Sequence, residues 1–300
     1  MLTAFSAFIW GSSFPAIKVA LGGASDEVPF SFVVSFIRLL IAAVLGLAVM
    51  RALGRLDMRL FRQPVIWILG ALNAVSFALQ HAGVAFTTPS KTALLVNFNV
   101  VFVAILSRVY FKESLGARKM TGVALGVLGV VIVATRLDPS FLSGGEIAGD
   151  LMVFLAGFFW SLYIMFTKKA IDAKVDYVGL SVAVLATTTV FLILPLPFVN
   201  VSQGASAQGW GGILYLGMVS TLLPLLLWSR ALKDLTATTS SVLMLLEVFF
   251  AVLLSVLIIG EVFLPVYALG GASILAGGIL AASSTRNHTR AATMDDGPGK

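Results

Sequence analysis

Amide, imidazole and aromatic side chains recur at helical intervals inside one strongly apolar stretch of the chain. They follow the pattern i, i+3, i+4, i+7, i+8 and are Asn73, Ser76, Phe77, Gln80 and His81. Such spacing places all of them on one face of a helix. Uncharged polar groups beside aromatic rings can hydrogen-bond and stack against a small organic molecule. We interpret this face as the wall of a cavity, because it carries more polar groups than helix packing alone requires.

Other polar and aromatic residues extend the candidate substrate-binding set. Asn97 and Asn99 point in nearly opposite directions on one helix, so at least one of them faces protein, and which one is left open. For a single serine or threonine, hydrogen bonding between helices is the simpler interpretation. The further candidates, which lie at helical intervals in other apolar runs, are Trp10, Ser13, Phe14, Asn97, Asn99, Trp160, Tyr163 and Trp228.

Three charged residues and one proline interrupt the apolar runs. Glu247 lies near the middle of its run, where a charge is costly and indicates function. Arg38 could pair with Glu247 or bind a substrate carboxylate, and an unpaired Glu247 would favour a cationic substrate. Lys18 lies near the end of its run and could reach the membrane surface or attract the same carboxylate. Pro15 predicts a bend, because proline removes one helical hydrogen bond.

The composition places most of the chain in a lipid bilayer. Of the 300 residues, 59% are apolar and only 11% are charged, and the mean hydropathy is +1.01. The chain has no cysteine and two histidines, so the sequence predicts neither a metal site nor any other cofactor. It contains no nucleophile elbow, zinc-protease motif or phosphate loop, which argues against an enzyme. The basic residues occupy short loops, which indicates membrane topology and not a nucleic-acid partner.

The apolar runs predict an all-α integral membrane protein with ten transmembrane helices. Most of the 20 lysines and arginines fall in alternate connections and in the tail, which predicts that the N- and C-termini are both cytoplasmic. The predicted spans are Leu2–Leu21, Phe30–Met50, Val65–Phe86, Thr88–Phe111, Ala117–Thr135, Ile147–Ile171, Tyr177–Phe198, Gly209–Leu232, Ala237–Ile259 and Leu264–Ser283.

The two halves of the chain repeat each other. FIWGSSFPAIK (8–18) aligns with FFWSLYIMFTK (158–168) at an offset of 150 residues, and residues 83–113 align without gaps with 231–261 at an offset of 148. Five spans per half make the repeats inverted in the membrane. We divide the chain into a first five-helix repeat (1–136), a linker (137–146), a second repeat (147–284) and a disordered cytoplasmic tail (285–300). The glycine-rich stretches 122–129 and 270–278 predict close scaffold packing of the fifth and tenth spans.

Several sequence pieces, in this order and at this spacing, resemble a known family. They are WGSSFPAIK, FIRLLIA, GVAFTTPSKTALL, FKESL followed by GVALGVLGVVIVA, and ALKDLTATTSSVLMLLEVFFAVLLSVLIIGE. The chain resembles the drug/metabolite transporter superfamily in its EamA-like, ten-helix branch. Members often carry a proline after the polar residue of spans four and nine. Val100 and Val248 stand there, which removes the ground for a proline break at those positions.

The resemblance implies a function as well as a fold. It implies a multi-pass secondary transporter of the bacterial cytoplasmic (inner) membrane that exports small metabolites by alternating access around a central cavity. The likeness is nearest to exporters of aromatic and other neutral amino acids. The alternative within this fold is an exporter of drugs or cationic and amphipathic metabolites, and a membrane-embedded enzyme or scaffold is a weaker alternative. The implied partners are a small-molecule substrate and the lipid bilayer; proton coupling and oligomeric state stay open, and a monomer is compatible with the sequence.

Overall fold

Ten helical spans account for the fold. The computed structural model describes residues 1–21, 27–84, 86, 94–138, 140, 147–199, 206–260 and 262–295, and within these ranges the chain is helical without a strand. In the same ranges, seven helical segments are long and apolar enough to cross a membrane, and three shorter apolar helices fill the other predicted positions. The ten predicted helices are therefore confirmed, and we number them spans 1 to 10. Their orientation across the membrane stays a prediction.

The helix bounds follow the predicted spans closely. Short 3₁₀ helices, Met58–Arg62 and Leu196–Phe198, follow spans 2 and 7. The spans in order are Leu2–Gly11 with Ser13–Leu21, Glu27–Ala52, Pro64–Val84, Leu94–Tyr110, Ala117–Thr135, Ile147–Asp172, Tyr177–Leu192, Ala207–Met218 with Leu222–Ala231, Ala237–Met244 with Leu246–Leu254 and the π-helix Ser255–Ile259, and Pro265–Asp295.

Span 10 is longer than the sequence predicts. It continues from Pro265 to Asp295, through most of the stretch 285–300 where a disordered tail is predicted. The helix has no local reason to stop earlier, because neither proline nor glycine occurs between Gly278 and Gly297. Residues 296–300 and most of the predicted linker, 137–146, lie outside the described residues.

Spans 5 and 10 cross through glycines, as the small-residue pattern predicts. A Cβ built on Gly122 would lie 2.8 Å from the carbonyl oxygen of Gly277, and one built on Gly129 would lie 2.5 Å from that of Gly270. The two contacts are symmetry mates, because the offset of 148 residues converts Gly122 into Gly270 and Gly129 into Gly277. Backbones this close leave no room for a side chain, so the crossing is a rigid part of the scaffold.

The largest hydrophobic core lies between the two halves of the chain. Its buried members include Leu39 and Leu69 from spans 2 and 3, and Tyr163, Leu185 and Trp228 from spans 6, 7 and 8. Apolar side chains gain little from leaving lipid, so this core is held by close packing and by the polar contacts inside it. Those polar contacts come from the candidate binding residues.

Span 1 is interrupted and its partner, span 6, is not. The helix of span 1 stops at Gly11, turns at Ser12 and resumes at Ser13. Because Pro15 has no N–H, the carbonyl of Gly11 lacks its helical donor. At the turn, Ser12 donates its hydroxyl to the carbonyl of Ile9 at 2.6 Å. Span 6 runs without a break from Ile147 to Asp172, so the two copies differ as the single proline predicts.

Three further spans are interrupted. In span 8 the break covers residues 219–221 and precedes Pro224, which deprives the carbonyl of Ser220 of its donor; the sequence analysis does not predict it, although the proline signals it. Spans 4 and 9 turn at Phe98 and Leu245 without a proline. There the N–H of each residue bonds the carbonyl three positions earlier, at 3.3 and 3.2 Å, which tightens the helix into a 3₁₀ turn.

A buried ion pair joins the two halves at one end of the bundle. The carboxylate of Glu113, in the loop before span 5, accepts from Lys119 Nζ at 2.8 Å and from Thr238 Oγ1 at 3.1 Å. The side chains of Lys119 and Glu113 are only 2% and 8% exposed. Since Thr238 opens span 9, the pair attaches the second half to a loop of the first.

Candidate functional site

Asn73 is the centre of a hydrogen-bond network that joins the two halves. Its Oδ1 accepts from the indole Nε1 of Trp160 at 3.1 Å, and its Nδ2 donates to Thr188 Oγ1 at 3.2 Å. Asn73 belongs to span 3, whereas Trp160 and Thr188 belong to spans 6 and 7. Both ends of this buried amide are satisfied, so it fixes three spans relative to one another.

Aromatic rings continue the network along span 3. The ring of Phe77 meets Trp160 edge to face at 5.4 Å and stacks on His81 at 6.1 Å. His81 Nδ1 lies 2.8 Å from the carbonyl oxygen of Phe77, and its Nε2 lies 2.8 Å from Ser35 Oγ. Because a carbonyl only accepts, Nδ1 carries the hydrogen and a neutral ring accepts at Nε2 from the serine. We call Ser35, Asn73, Phe77, His81, Trp160 and Thr188 the amide–aromatic cluster.

Tyr163 and Trp228 form a tighter layer beside this cluster. Their rings stack at 6.1 Å, and Trp228 Nε1 donates to Ser240 Oγ at 2.9 Å. The two residues are 8% and 3% exposed, so they are packed between spans 6, 8 and 9. Trp10 from span 1 is half-buried and packs against the same hydrophobic core. The structure therefore brings aromatic side chains of four predicted site segments into one region.

Four other predicted residues do not belong to the amide–aromatic cluster. Ser13 is buried and donates its hydroxyl to the carbonyl of Trp10 at 2.6 Å, so that hydroxyl serves its own helix. Gln80 is half-buried on span 3. The side chains of Phe14 and Lys18 lie outside the described residues.

Asn97 and Asn99 flank the turn of span 4 at Phe98. Both asparagines are half-buried, and the second opens the helix Asn99–Tyr110. Because a turn separates them, the regular helical angle that predicts opposite directions for the two side chains does not hold here. Which of them faces a substrate stays open.

Arg38 is buried and anchored at one end of its guanidinium group. The residue is 8% exposed, and its Nε donates to Thr221 Oγ1 at 3.0 Å. The hydroxyl of Thr221 in turn donates to the carbonyl of Leu216 at 2.8 Å, which turns the oxygen lone pairs toward the arginine. The break in span 8 is what exposes that carbonyl, so the break and the anchor belong together.

Glu247 lies on span 9 with its carboxylate half-buried. Within the described residues it has no hydrogen bond and no ion pair closer than 4.0 Å, although it interacts electrostatically with Arg38. Direct pairing of these two charges, one of the two interpretations that the sequence leaves open, is thus absent from this conformation.

Two of these hydrogen bonds occupy equivalent positions in the repeat. Extended beyond the aligned segments, the offset of 148 residues pairs Asn73 of span 3 with Thr221 of span 8, and the offset of 150 pairs Arg38 of span 2 with Thr188 of span 7. The bond between Asn73 and Thr188 therefore corresponds to the bond between Thr221 and Arg38. We call them the neutral pair and the charged pair.

Sequence reasoning does not identify four of the hydrogen-bond partners. Ser35, Thr188, Thr221 and Ser240 each look like an ordinary helix hydroxyl in an apolar run, for which local bonding is the simpler interpretation. One signal was present: the repeat offset relates Thr188 to Arg38. An alignment of the two repeats that extends through spans 2 and 7 therefore indicates Thr188 as a candidate.

Comparisons with known proteins agree with this architecture. The EamA-like transporter family matches residues 1–135 and 147–283. An "Uncharacterized transporter" of Archaeoglobus fulgidus is 27% identical over 92% of this chain and 94% of its own. A "Probable terminal-alkyne amino-acid exporter" of Streptantibioticus cattleyicolor is 28% identical over 97% of this chain and 94% of its own.

A solved structure gives the same result for the fold. A crystal structure of a protein that is 19% identical in sequence superposes with a TM-score of 0.80 and covers 95% of this chain and 98% of its own. Because the family match extends over nearly the whole of both halves, this chain belongs to the EamA-like transporter family.

Proposed function

We propose that the chain is a secondary transporter that exports neutral amino acids, including aromatic ones, across the bacterial cytoplasmic membrane. The observation that carries this proposal is the amide–aromatic cluster, in which Asn73 of one half bonds Trp160 and Thr188 of the other. Substrate sites of repeat-built transporters lie where the halves meet, and rocking of the halves exposes such a site to each side in turn.

The chemistry of the cluster and its surroundings suits an amino acid with an apolar side chain. Half-buried rings such as Phe77, Trp160 and Trp10 offer flat apolar walls. The half-buried amide of Gln80, on the same face of span 3, offers hydrogen-bonding groups. Pockets of this composition bind ligands by burial and orient them with a few polar groups. The relative from Streptantibioticus cattleyicolor, whose name gives it as a probable amino-acid exporter, adds support.

Flux through purified protein in liposomes tests the proposal. Labelled phenylalanine, threonine and methionine should cross in a saturable manner and compete with one another, while protein-free liposomes give the background. A protein that moves none of these amino acids would contradict the proposal.

A second candidate is the export of cationic amphiphiles. One observation favours it: the Glu247 carboxylate has no hydrogen bond within the described residues, and an acid inside a membrane bundle attracts a positive charge. The same liposomes separate the candidates. Flux of a cationic dye without flux of any amino acid would select this second function.

A further inference from the structure

Two opposite charges remain inside the spanning region without a direct ion pair. Arg38 has one described acceptor, Thr221 Oγ1, for its five guanidinium N–H donors, and Glu247 has no described donor. Charges inside a bilayer are costly and are normally paired. The two groups interact electrostatically but are not joined within 4.0 Å, so each of them can take a counter-charge from a ligand that carries both charges.

The middle of span 1 brings these two charges into one region. Ser220 Oγ donates to the carbonyl of Ile9 at 3.2 Å, and the neighbouring residue, Thr221, anchors Arg38. Two positions further along span 1, a Cβ built on Gly11 would lie 3.0 Å from the carbonyl oxygen of Glu247. Within three residues, span 1 thus contacts Ser220, which is next to the anchor of Arg38, and the backbone of Glu247.

The repeat shows that the fold itself does not require either charge. Asn99 stands at the position equivalent to Glu247, and Thr188 at the position equivalent to Arg38. The neutral pair closes the same junction between spans with uncharged groups at 3.2 Å. Since one copy of the framework is built without charges, the charges of the other copy call for a role beyond packing.

We propose that Arg38 and Glu247 form a binding site for a zwitterion, with the α-carboxylate on Arg38 and the α-ammonium on Glu247. This inference rests on the proposed function and assigns the head-group site of the same substrate. Thr221 binds the Nε of Arg38. The two η nitrogens of Arg38 remain, and they can donate two parallel hydrogen bonds to a carboxylate. A zwitterion satisfies both protein charges, whereas an amine or an acid leaves one of them buried and uncompensated, and the site rejects it.

Three probes with the same aromatic end test this site. They are phenylalanine, phenethylamine, which lacks the carboxylate, and 3-phenylpropionate, which lacks the ammonium group. Calorimetric binding to the purified parent protein should be roughly ten- to a hundredfold tighter for phenylalanine than for either analogue, as expected for one hydrogen-bonded charge. Equal binding of the three probes, or no binding of any, would overturn the site.

Substitutions that remove one charge at a time test which charge recognises which end of the substrate. Glu247→Gln should lose the discrimination between phenylalanine and 3-phenylpropionate and keep that against phenethylamine, and Arg38→Gln should do the reverse. Thr189 donates its hydroxyl to the carbonyl of Leu185 in its own helix at 2.8 Å, so the control variant Thr189→Ala should leave both ratios as in the parent protein. If both charge variants weaken all three probes equally, the site is wrong.

Two measurements keep the outcomes separate. Glu247→Asp and Arg38→Lys retain the charges and should retain the preference, which distinguishes a lost charge from a misfolded variant; loss of the preference in well-folded forms of both would contradict the site. If the parent protein binds phenylalanine with the expected preference but moves no amino acid in liposomes, the proposed function fails and the site stands.

Discussion

The neutral pair and the charged pair occupy equivalent positions and use different chemistry. In one, Asn73 donates to Thr188 at 3.2 Å; in the other, Arg38 donates to Thr221 at 3.0 Å. Both bonds join a span of the first half to a span of the second. The comparison teaches that the junction needs a hydrogen bond at this position but does not need a charge. The charge is therefore a specialisation of one copy.

The helices that flank these pairs differ in the same asymmetric way. Span 1 turns at Ser12, whereas span 6 is continuous. Both cross a neighbour through a glycine: a Cβ on Gly11 would lie 3.0 Å from the carbonyl oxygen of Glu247, and one on Gly157 would lie 2.8 Å from that of Val96. Gly11 and Gly157 are not equivalent positions of the repeat, but both helices approach a neighbour closely and only span 1 is interrupted. We therefore expect span 1 to bend more than span 6 during transport.

The largest effect should come from breaking the symmetric crossing itself. Gly277→Ala would place a Cβ 2.7 Å from the carbonyl oxygen of Gly122, and because both are backbone positions we expect a loss of about 1–3 kcal/mol of stability. Gly129→Ala, at the equivalent position, should cost about as much. The melting temperature in detergent measures both.

The neighbouring glycine provides the control for this crossing. A Cβ on Gly278 would meet only Leu243 Cδ2 at 3.4 Å, so Gly278→Ala should melt close to the parent protein. Equal melting temperatures for Gly277→Ala and Gly278→Ala would show that the crossing is looser than described.

Removing the neutral pair should have an effect of similar size. Asn73→Ala leaves the indole N–H of Trp160 without its acceptor and Thr188 without its donor, at a cost of about 1–3 kcal/mol. In contrast to Arg38→Gln, it should lower the flux of phenylalanine and leave unchanged the binding preference for phenylalanine over phenethylamine and 3-phenylpropionate. Initial uptake rates in liposomes, normalised to reconstituted protein, measure this.

Ser76 is the control for the neutral pair. Its hydroxyl donates to the carbonyl of Leu72 in its own helix at 2.8 Å, so Ser76→Ala should change uptake and melting little. A changed preference among the three probes in Asn73→Ala would show that the neutral pair also recognises the substrate's charges, which would contradict this prediction.

A smaller, kinetic effect is expected at the interruption of span 1. Pro15→Ala restores an N–H for the carbonyl of Gly11 and should straighten the helix. We expect a severalfold lower maximal flux with a nearly unchanged half-saturation concentration, because the motion and not the site is altered. Pro265→Ala is the control, since Pro265 opens span 10, where its missing N–H costs little. An unchanged maximal flux would remove the proline from the mechanism.

The smallest effect compares two loop positions. Lys112 and Gly260 are equivalent at the offset of 148, and both have left-handed backbones, with φ of 52° and 75°. Lysine is strained in this conformation and glycine is not. We expect Lys112→Gly to stabilise the protein by about 0.5–1 kcal/mol and Gly260→Ala to destabilise it by about 1 kcal/mol. Melting shifts of the same sign for both substitutions would refute this.

Much of the fold could be predicted because hydropathy and repetition act over many residues. The ten spans follow from apolar length, and the packing of spans 5 and 10 follows from glycine spacing. The interruptions at Phe98 and Leu245 could not be predicted, because a change from four- to three-residue hydrogen bonding leaves no compositional trace there. The break in span 8, in contrast, is indicated in the sequence by Pro224.

The sequence predicts which residues belong to the candidate site better than it predicts which residues they contact. Asn73, Phe77, His81 and Trp160 were selected from their helical spacing, and the structure joins them. Their partner Thr188 was not selected, since partners on other helices depend on which faces meet, and a single sequence specifies this only through packing. Direct pairing of Arg38 with Glu247 was one of two open interpretations, and the described conformation separates the charges.

The glycine crossing of spans 5 and 10 also bears on how the protein is made. Span 10 leaves the ribosome well after span 5, and the face of span 5 that contains Gly122 and Gly129 meets its partner only then. Until span 10 packs there, the backbone groove at Gly122 and Gly129 of span 5 is open to lipid acyl chains. The groove therefore cannot close before span 10 has been made, and a chain truncated ahead of span 10 would expose the groove to the quality-control proteases of the membrane.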